Sequence, residues 1–426
     1  MGGYTMQRKG DAMSISKKAA KTVGALATVA GAAAAGAVAV RELTTTPDYP
    51  TPPAQPNGLR VALVHEWLVS PGGGERVVHT MHEMYPDAPI YTLVYDEAGA
   101  PAWTKDCDIR TTYLQKWPGA KTHHKFLLSF MPKAWEALDL TDYDLVISSS
   151  ASCCKGIIVR PDAVHICYCH SPIRYVWDMY HEYYRNAGFV KQLVMPHVIH
   201  NVRMWDFQAA QRVDYFISNS DFVAQRIRKY YRRDSTTIYP GIHINEHPVT
   251  EEPDDYYLVV SRFIGYKRVD LAVEACNRLG RRLKVIGSGG EEEQRIRELA
   301  GPTVEFLGRV SDKEMEQAYS HAKAFLFPGV EDFGMTPVEA MSAGVPVLAY
   351  GVGGGTESVV DGQTGLLFHE QTVEGLMGCI ERFEREGVSL SRHEIHEYSK
   401  RFSEERFKRE LGAFIQEHVD DKRTVS

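Results

Sequence analysis

Cysteine is scarce and odd in number: seven in 426 residues, with Cys153 beside Cys154 and Cys167 one residue from Cys169. That pattern excludes a disulfide-stapled scaffold and fits reduced thiols. Cys167-Tyr168-Cys169-His170 starts like a metal site, yet no CxxC follows to complete a tetrahedral set, so no metal is expected. A basic excess is missing too. The net charge of −7 speaks against nucleic-acid binding. Long apolar runs are absent except for Val23–Val40, 18 residues without a charge behind Lys17, Lys18 and Lys21. As a helix this run reaches about 27 Å, the lower limit for a bilayer. Nine of its residues are Ala and one is Leu, so it reads as an Ala-rich tether or tail, although Ala37-Val38-Ala39 mimics a signal-peptidase site. Repeats of short period are lacking as well.

What is present describes an ordinary globular chain, 44% hydrophobic and 24% charged, and too long for one core. Residues 1–57 form the Ala-rich segment and a Pro-rich linker, "TTTPDYPTPPAQPNG". From Leu59 onward short apolar runs alternate with helical patterns, which predicts parallel βαβ units. "LRVALVHEWL", "APIYTLVY", "YDLVISSS", "VHICYCH" and "VDYFISNS" are the strands of a first unit over 58–248. "DDYYLVVSRF", "RLKVIGSG", "TVEFLG", "AFLFPG" and "VPVLAY" are those of a second over 249–403. The remainder, 404–426, has helical periodicity. The expected class is α/β, with two Rossmann-like domains facing a central cleft where ligands bind.

Several groups fall where strands of such sheets end. Gly72-Gly73-Gly74 lies between a strand and a helix, where bare backbone can approach an anion at the helix N-terminus. Its spacing lacks the last glycine of G-x-G-x-x-G, with Val77 in that place, and a plain tight turn explains it equally well. Arg262 and Lys267 leave one strand and His170 another. Glu331 follows "AKAFLFP". Glu339 has a bland explanation, because Thr336-Pro337-Val338-Glu339 spells a capping box with Pro337 at the first helical position and Gly344 as the stop.

The ordered stretch "FPGVEDFGMTPVEAMSAGVPVLAYGVGGGTESVVDGQTGLLF", with two Glu separated by seven residues, resembles the signature of family 4 glycosyltransferases. "HEWLVSPGGGERV", "VVSRFIGYKRVDLAVEA" and "CYCHSPIRYVWDMYHEYY" resemble further segments of that family. The resemblance runs from Leu59 to Phe402 and implies the GT-B fold and a retaining transferase. It implies that Glu331 contacts donor-sugar hydroxyls and Glu339 the nucleotide ribose. Arg262 and Lys267 would clamp the donor diphosphate in place of a metal, Gly72–Gly74 would lie under the phosphates, and His170 would stand beside the sugar. Phe333, Gly334, Met335 and Thr336 complete the implied donor site. The last helix is expected to cross back to the first domain.

The implied reaction moves a hexose, mannose favoured, from a nucleotide sugar to a glycan or lipid-linked acceptor. No cofactor is called for. A sugar-nucleotide 2-epimerase of the same fold and a non-catalytic nucleotide-sugar binder are the rivals. Asp142-Tyr143-Asp144 spells the DxD of metal-dependent transferases, but it precedes its strand and reads as a solvated loop. Tyr175, Trp177, Tyr180, Tyr183 and Tyr184 could floor an acceptor site or pack a helix. Lys116, Lys121 and Lys125 among Trp117, Phe126, Leu127 and Phe130, together with "RIRKYYRRD" (Arg226 to Arg233), suit an anionic membrane or a solvated helix face. The expected location is cytoplasmic, peripheral on or tethered to the inner face of the membrane.

Overall fold

The computed structural model describes residues 41, 43–245 and 249–425; the Ala-rich run at 23–40 lies outside them. The alternation read from the sequence builds two all-parallel sheets. The first contains β1 (Val61–His65), β2 (Ile90–Thr92), β3 (Ile109–Thr111), β4 (Leu145–Ser150), β5 (Val164–Cys169), β6 (Tyr215–Ser218) and β7 (Thr236–Thr237), in the order β3-β2-β1-β4-β5-β6-β7. The second contains β8 (Tyr257–Val260), β9 (Leu283–Ile286), β10 (Val304–Gly308), β11 (Ala324–Phe327), β12 (Val347–Tyr350) and β13 (Gly365–Phe368), in the order β10-β9-β8-β11-β12-β13. Apart from the short β7, the two sheets share one strand order, and each reverses direction beside its first strand. These reversals, between β1 and β4 and between β8 and β11, open the crevices in which doubly wound sheets hold ligands. The architecture is GT-B.

Strands such as β1 and β4 are buried along their whole length because helices cover both faces of the sheet. One face of the first sheet packs on Trp135, Tyr143, Ile199 and Val202. Its other face receives Phe407, Leu411, Phe414, Ile415 and Val419 from the final helix, Glu404–Val425. That helix therefore follows the second unit in sequence but packs on the core of the first. Arg406 donates to the Tyr239 carbonyl at 2.9 Å and fixes the crossing.

Two local readings are corrected. Asp142-Tyr143-Asp144 is a turn solvated only in part: Asp142 is exposed, but Tyr143 is buried against Tyr91 and Arg110, and Asp144 pairs with Arg160. It stands at the N-terminal end of β4, the end away from the crevice. "RIRKYYRRD" is not a uniform basic face either. Arg226 is buried in ion pairs with Asp178 and Asp332, and Arg233 donates to the carbonyls of Ala210 and Asp214.

Candidate functional site

β1 delivers the chain into a loop ending at Gly72, from which the helix Gly73–Met84 starts. Crowding explains the glycines. A Cβ at Gly73 would meet the Met335 sulfur at 2.9 Å, and one at Gly74 would lie 3.3 Å from His65 Cε1 and 3.7 Å from His170 Nε2. The glycine turn of the first half thus touches the Glu-rich segment of the second.

His170 follows β5, and its N–H donates to the Ser150 carbonyl at 2.8 Å. Its Nε2 lies 2.7 Å from Ser149 Oγ, which is 3.3 Å from His65 Nδ1. His65 Nε2 in turn stands 3.7 Å from a Glu75 carboxylate oxygen. Burial, seconded by His65, pushes the His170 imidazole down to about 4, so it is neutral at pH 7. At Glu75 burial favours the neutral acid, but His65 and a backbone N–H outweigh it and hold the carboxyl low. His65, Glu75 and Ser149 escaped the sequence reading. The signal that marks His170, a polar residue at the C-terminal end of a strand or just past the glycines, marks these three too.

In the second half, Lys267 sits in the single turn Gly265–Lys267 after β8 and forms an ion pair with Glu331, which follows β11. Their side chains are 18% and 16% exposed, enough shielding for the pair to hold a fixed geometry. The Glu331 carbonyl accepts from Gly354 N–H at 2.8 Å. Arg262 is exposed at the same strand end, with its side chain in no ion pair among the described residues. Phe333 is buried and stacks on Tyr239 at 5.4 Å. Thr336 is partly exposed in the first turn of the helix Met335–Ser342.

The predicted capping box is absent. The helix starts at Met335, two residues before Pro337, because Gly334 takes a left-handed conformation (φ 84°) as its N-cap. Glu339 is thereby freed from the backbone. Its two oxygens accept from Arg76 at 2.5 Å and from the Tyr319 hydroxyl at 2.9 Å. Gly344 does end the helix, at φ 76°.

Arg76 comes from the glycine-turn helix, so its bond to Glu339 spans the cleft. Asp332 makes a second bridge, taking Arg174 Nε at 2.9 Å and Arg226 Nη1 at 2.5 Å from the first half. Glu357 makes a third, accepting from the N–H groups of Asp221 and Phe222 at 2.7 and 2.8 Å. Glycine backbone, the neutral His170 imidazole, the cations Arg76 and Lys267 and the carboxylates Glu331 and Glu339 thus border one crevice. Among the described residues no group of three or more His, Cys, Asp or Glu is placed to hold a metal. The aromatic segment divides. Trp177 donates to Asp206 and stacks on Tyr230, whereas Tyr183 is exposed.

Residues 71–246 match the family described as Glycosyltransferase Family 4, and residues 243–402 match Glycosyl transferases group 1. The chain belongs to the family 4 glycosyltransferases. This glycosyltransferase is 29% identical over 205 residues to an uncharacterized glycosyltransferase, MJ1178, of Methanocaldococcus jannaschii (46% of this chain, 58% of that protein). It is 26% identical over 285 residues to the human alpha-1,3/1,6-mannosyltransferase ALG2 (58% of this chain, 65% of that protein). Less than two thirds of either relative's own length is spanned. The Anabaena Alr3699/HepE structure in complex with UDP and glucose superimposes with a TM-score of 0.60 at 17% identity, covering 84% of this chain and 99% of that one.

Proposed function

We propose that this glycosyltransferase is a retaining, metal-independent hexosyltransferase. It would move a hexose, mannose favoured, from a nucleotide sugar to a glycan or lipid-linked acceptor. One observation carries the reading. The strand ends of both sheets converge on a single crevice, with the glycine turn, His170 and Arg76 on one wall and Lys267, Glu331 and Glu339 on the other, while Arg262 is exposed at the end of β8. The mannosyltransferase name of the human relative supports mannose, and the UDP bound by the Anabaena protein supports a nucleoside diphosphate leaving group.

On this reading Glu339 accepts the ribose hydroxyls and Glu331 the sugar hydroxyls. When the bond from C1 to the phosphate oxygen breaks, negative charge grows on the diphosphate. Lys267, held by Glu331, and the exposed Arg262 at the same strand end would stabilise it, and the glycine backbone can approach it closely. A charge-assisted hydrogen bond of this kind supplies roughly 1.5–3 kcal/mol. The acceptor oxygen bonds to C1 on the face the diphosphate leaves, and its proton departs with the diphosphate. His170, neutral and fixed by Ser149, positions the sugar.

Thermal-shift screening of nucleotide sugars identifies the donor, because a bound ligand stabilises the native state. Incubation with donor and a saccharide acceptor should then yield a glycoside. Conversion of the donor to its epimer without acceptor would favour the epimerase reading instead, and binding without any turnover the non-catalytic one.

A further inference from the structure

One face of the first half leaves large apolar side chains uncovered. Phe126 and Phe130 are 67% and 43% exposed, and Phe189, Val190, Leu193 and Val194 are 76%, 73%, 67% and 55% exposed. The two groups come from distant parts of the chain yet adjoin: Lys191 lies over the Phe126 ring, 5.2 Å from its centre. Residues 189, 190, 193 and 194 form one stripe of the helix Phe189–Arg212, while Met195 and Val198 of that helix, with Leu127 and Leu128, pack on the core beneath. The face is therefore held in place by partly buried neighbours packed on the core. Scattered single exposed residues are normal, but a contiguous patch of this kind marks a contact surface.

Charge says what the contact is. The chain carries 55 acidic residues, yet none falls within 109–135 or within 183–205, the two stretches that build the face. Exposed Lys125, Lys191 and Arg185 stand there instead, with Lys121 paired to Asp96 at 3.7 Å, in a molecule of net charge −7. A second copy would set lysine against lysine, which like-charge repulsion disfavours. Apolar side chains within a ring of cations match the boundary between acyl chains and anionic headgroups. The face also adjoins the cleft. Tyr183, just ahead of the exposed helix, packs edge-on to Tyr175, and neighbouring Arg174 lies over the Tyr266 ring beside Lys267.

We propose that this face docks on an anionic lipid surface. Phe126, Phe130, Phe189 and Leu193 enter the headgroup boundary, and Lys125, Arg185 and Lys191 pair with lipid phosphates. Docking in this orientation sets the mouth of the cleft at the membrane, where a lipid-linked acceptor would stand. Only that last step rests on the transferase reading.

The test is co-sedimentation of the full chain with vesicles of phosphatidylglycerol and phosphatidylcholine, against phosphatidylcholine alone. Two triple variants are compared with the parent: Phe126→Ser, Phe189→Ser, Leu193→Ser, and Lys125→Glu, Arg185→Glu, Lys191→Glu. The parent should prefer the anionic vesicles by about tenfold or more and release them as salt rises, because surface charges are screened. Each variant should partition at least about tenfold more weakly in the same full chain, with circular dichroism and nucleotide affinity unchanged. The charge-reversed variant keeps the test valid if the serine variant folds poorly. Variants that bind like the parent, a parent that does not distinguish the two lipids or binds neither, or a parental dimer that the variants dissociate would each overturn the proposal. Nucleotide affinity is read separately, so failure here is distinct from failure of the transferase reading.

Discussion

Glu339→Gln separates the ribose role from every structural role of this carboxylate. In the protein Glu339 accepts from Arg76 and Tyr319, and the Arg76 side chain is 56% exposed while that of Glu339 is 16% exposed. A pair so open to water on one side contributes about 0.5–1 kcal/mol. The Gln carbonyl oxygen still accepts from the enclosed Tyr319 hydroxyl, so the substitution costs about 1 kcal/mol of stability. Ribose binding loses more. Replacing a charged acceptor by a neutral one forfeits the difference between the two kinds of bond, roughly 1–1.5 kcal/mol, a weakening of roughly 5- to 13-fold.

The assay is titration calorimetry with the nucleoside diphosphate that the thermal-shift screen selects and with its 2′,3′-dideoxy form. The parent should lose affinity for the dideoxy compound by roughly 10- to 150-fold, the whole of a charged hydrogen bond. The variant should lose clearly less than the parent, since a neutral amide is the weaker partner for those hydroxyls. Arg76→Ala is the control: it frees Glu339 and should leave the discrimination between the two nucleotides in place. A Glu339→Gln protein that binds the nucleotide within about twofold of the parent, or that penalises the dideoxy form as strongly as the parent does, refutes the role.

Glu331→Gln should lower kcat/KM by roughly 100-fold through lost sugar positioning, while its amide oxygen still accepts from Lys267 and the melting temperature stays near the parent's; a normal rate removes Glu331 from the site. Transfer should survive excess EDTA and yield a product with the donor's anomeric configuration by NMR, and abolition with rescue by Mn²⁺ refutes the cationic clamp. His165 is fully buried between β4 and β6, and burial pushes its imidazole down to about 4. Between an unfolded value of about 6.5 and that folded value the unfolded chain binds the extra proton, so stability falls as pH falls across this window and levels off below it. His165→Asn should flatten that slope in urea melts by about 1.4 kcal/mol per pH unit, and an unchanged slope refutes the assignment.

Much of the architecture is legible in local sequence because parallel strands buried on both faces read as short apolar runs, and glycine with helical periodicity marks what joins them. "RVALVH", "LVISSS" and "AFLFP" each mark a strand, and each strand's end places the polar group that follows it. The capping box shows where local reading stops. Thr336-Pro337-Val338-Glu339 has the right letters, but one left-handed glycine moved the helix start and released Glu339 to partners elsewhere. Arg76 meets Glu339 across 263 positions and Arg174 meets Asp332 across 158; no periodicity carries such pairings.

The sequence by itself determined the fold class, the two-unit division of the chain and the identity of the groups at the strand ends, because period, turn chemistry and strand burial act over a few residues. Only the tertiary structure decided which charges meet across the cleft, that His65, Ser149 and Glu75 stand behind His170, and that Phe126 and Phe189 share one uncovered face. Strand order brings those groups together, and strand order is set by the packing of whole sheets and helices.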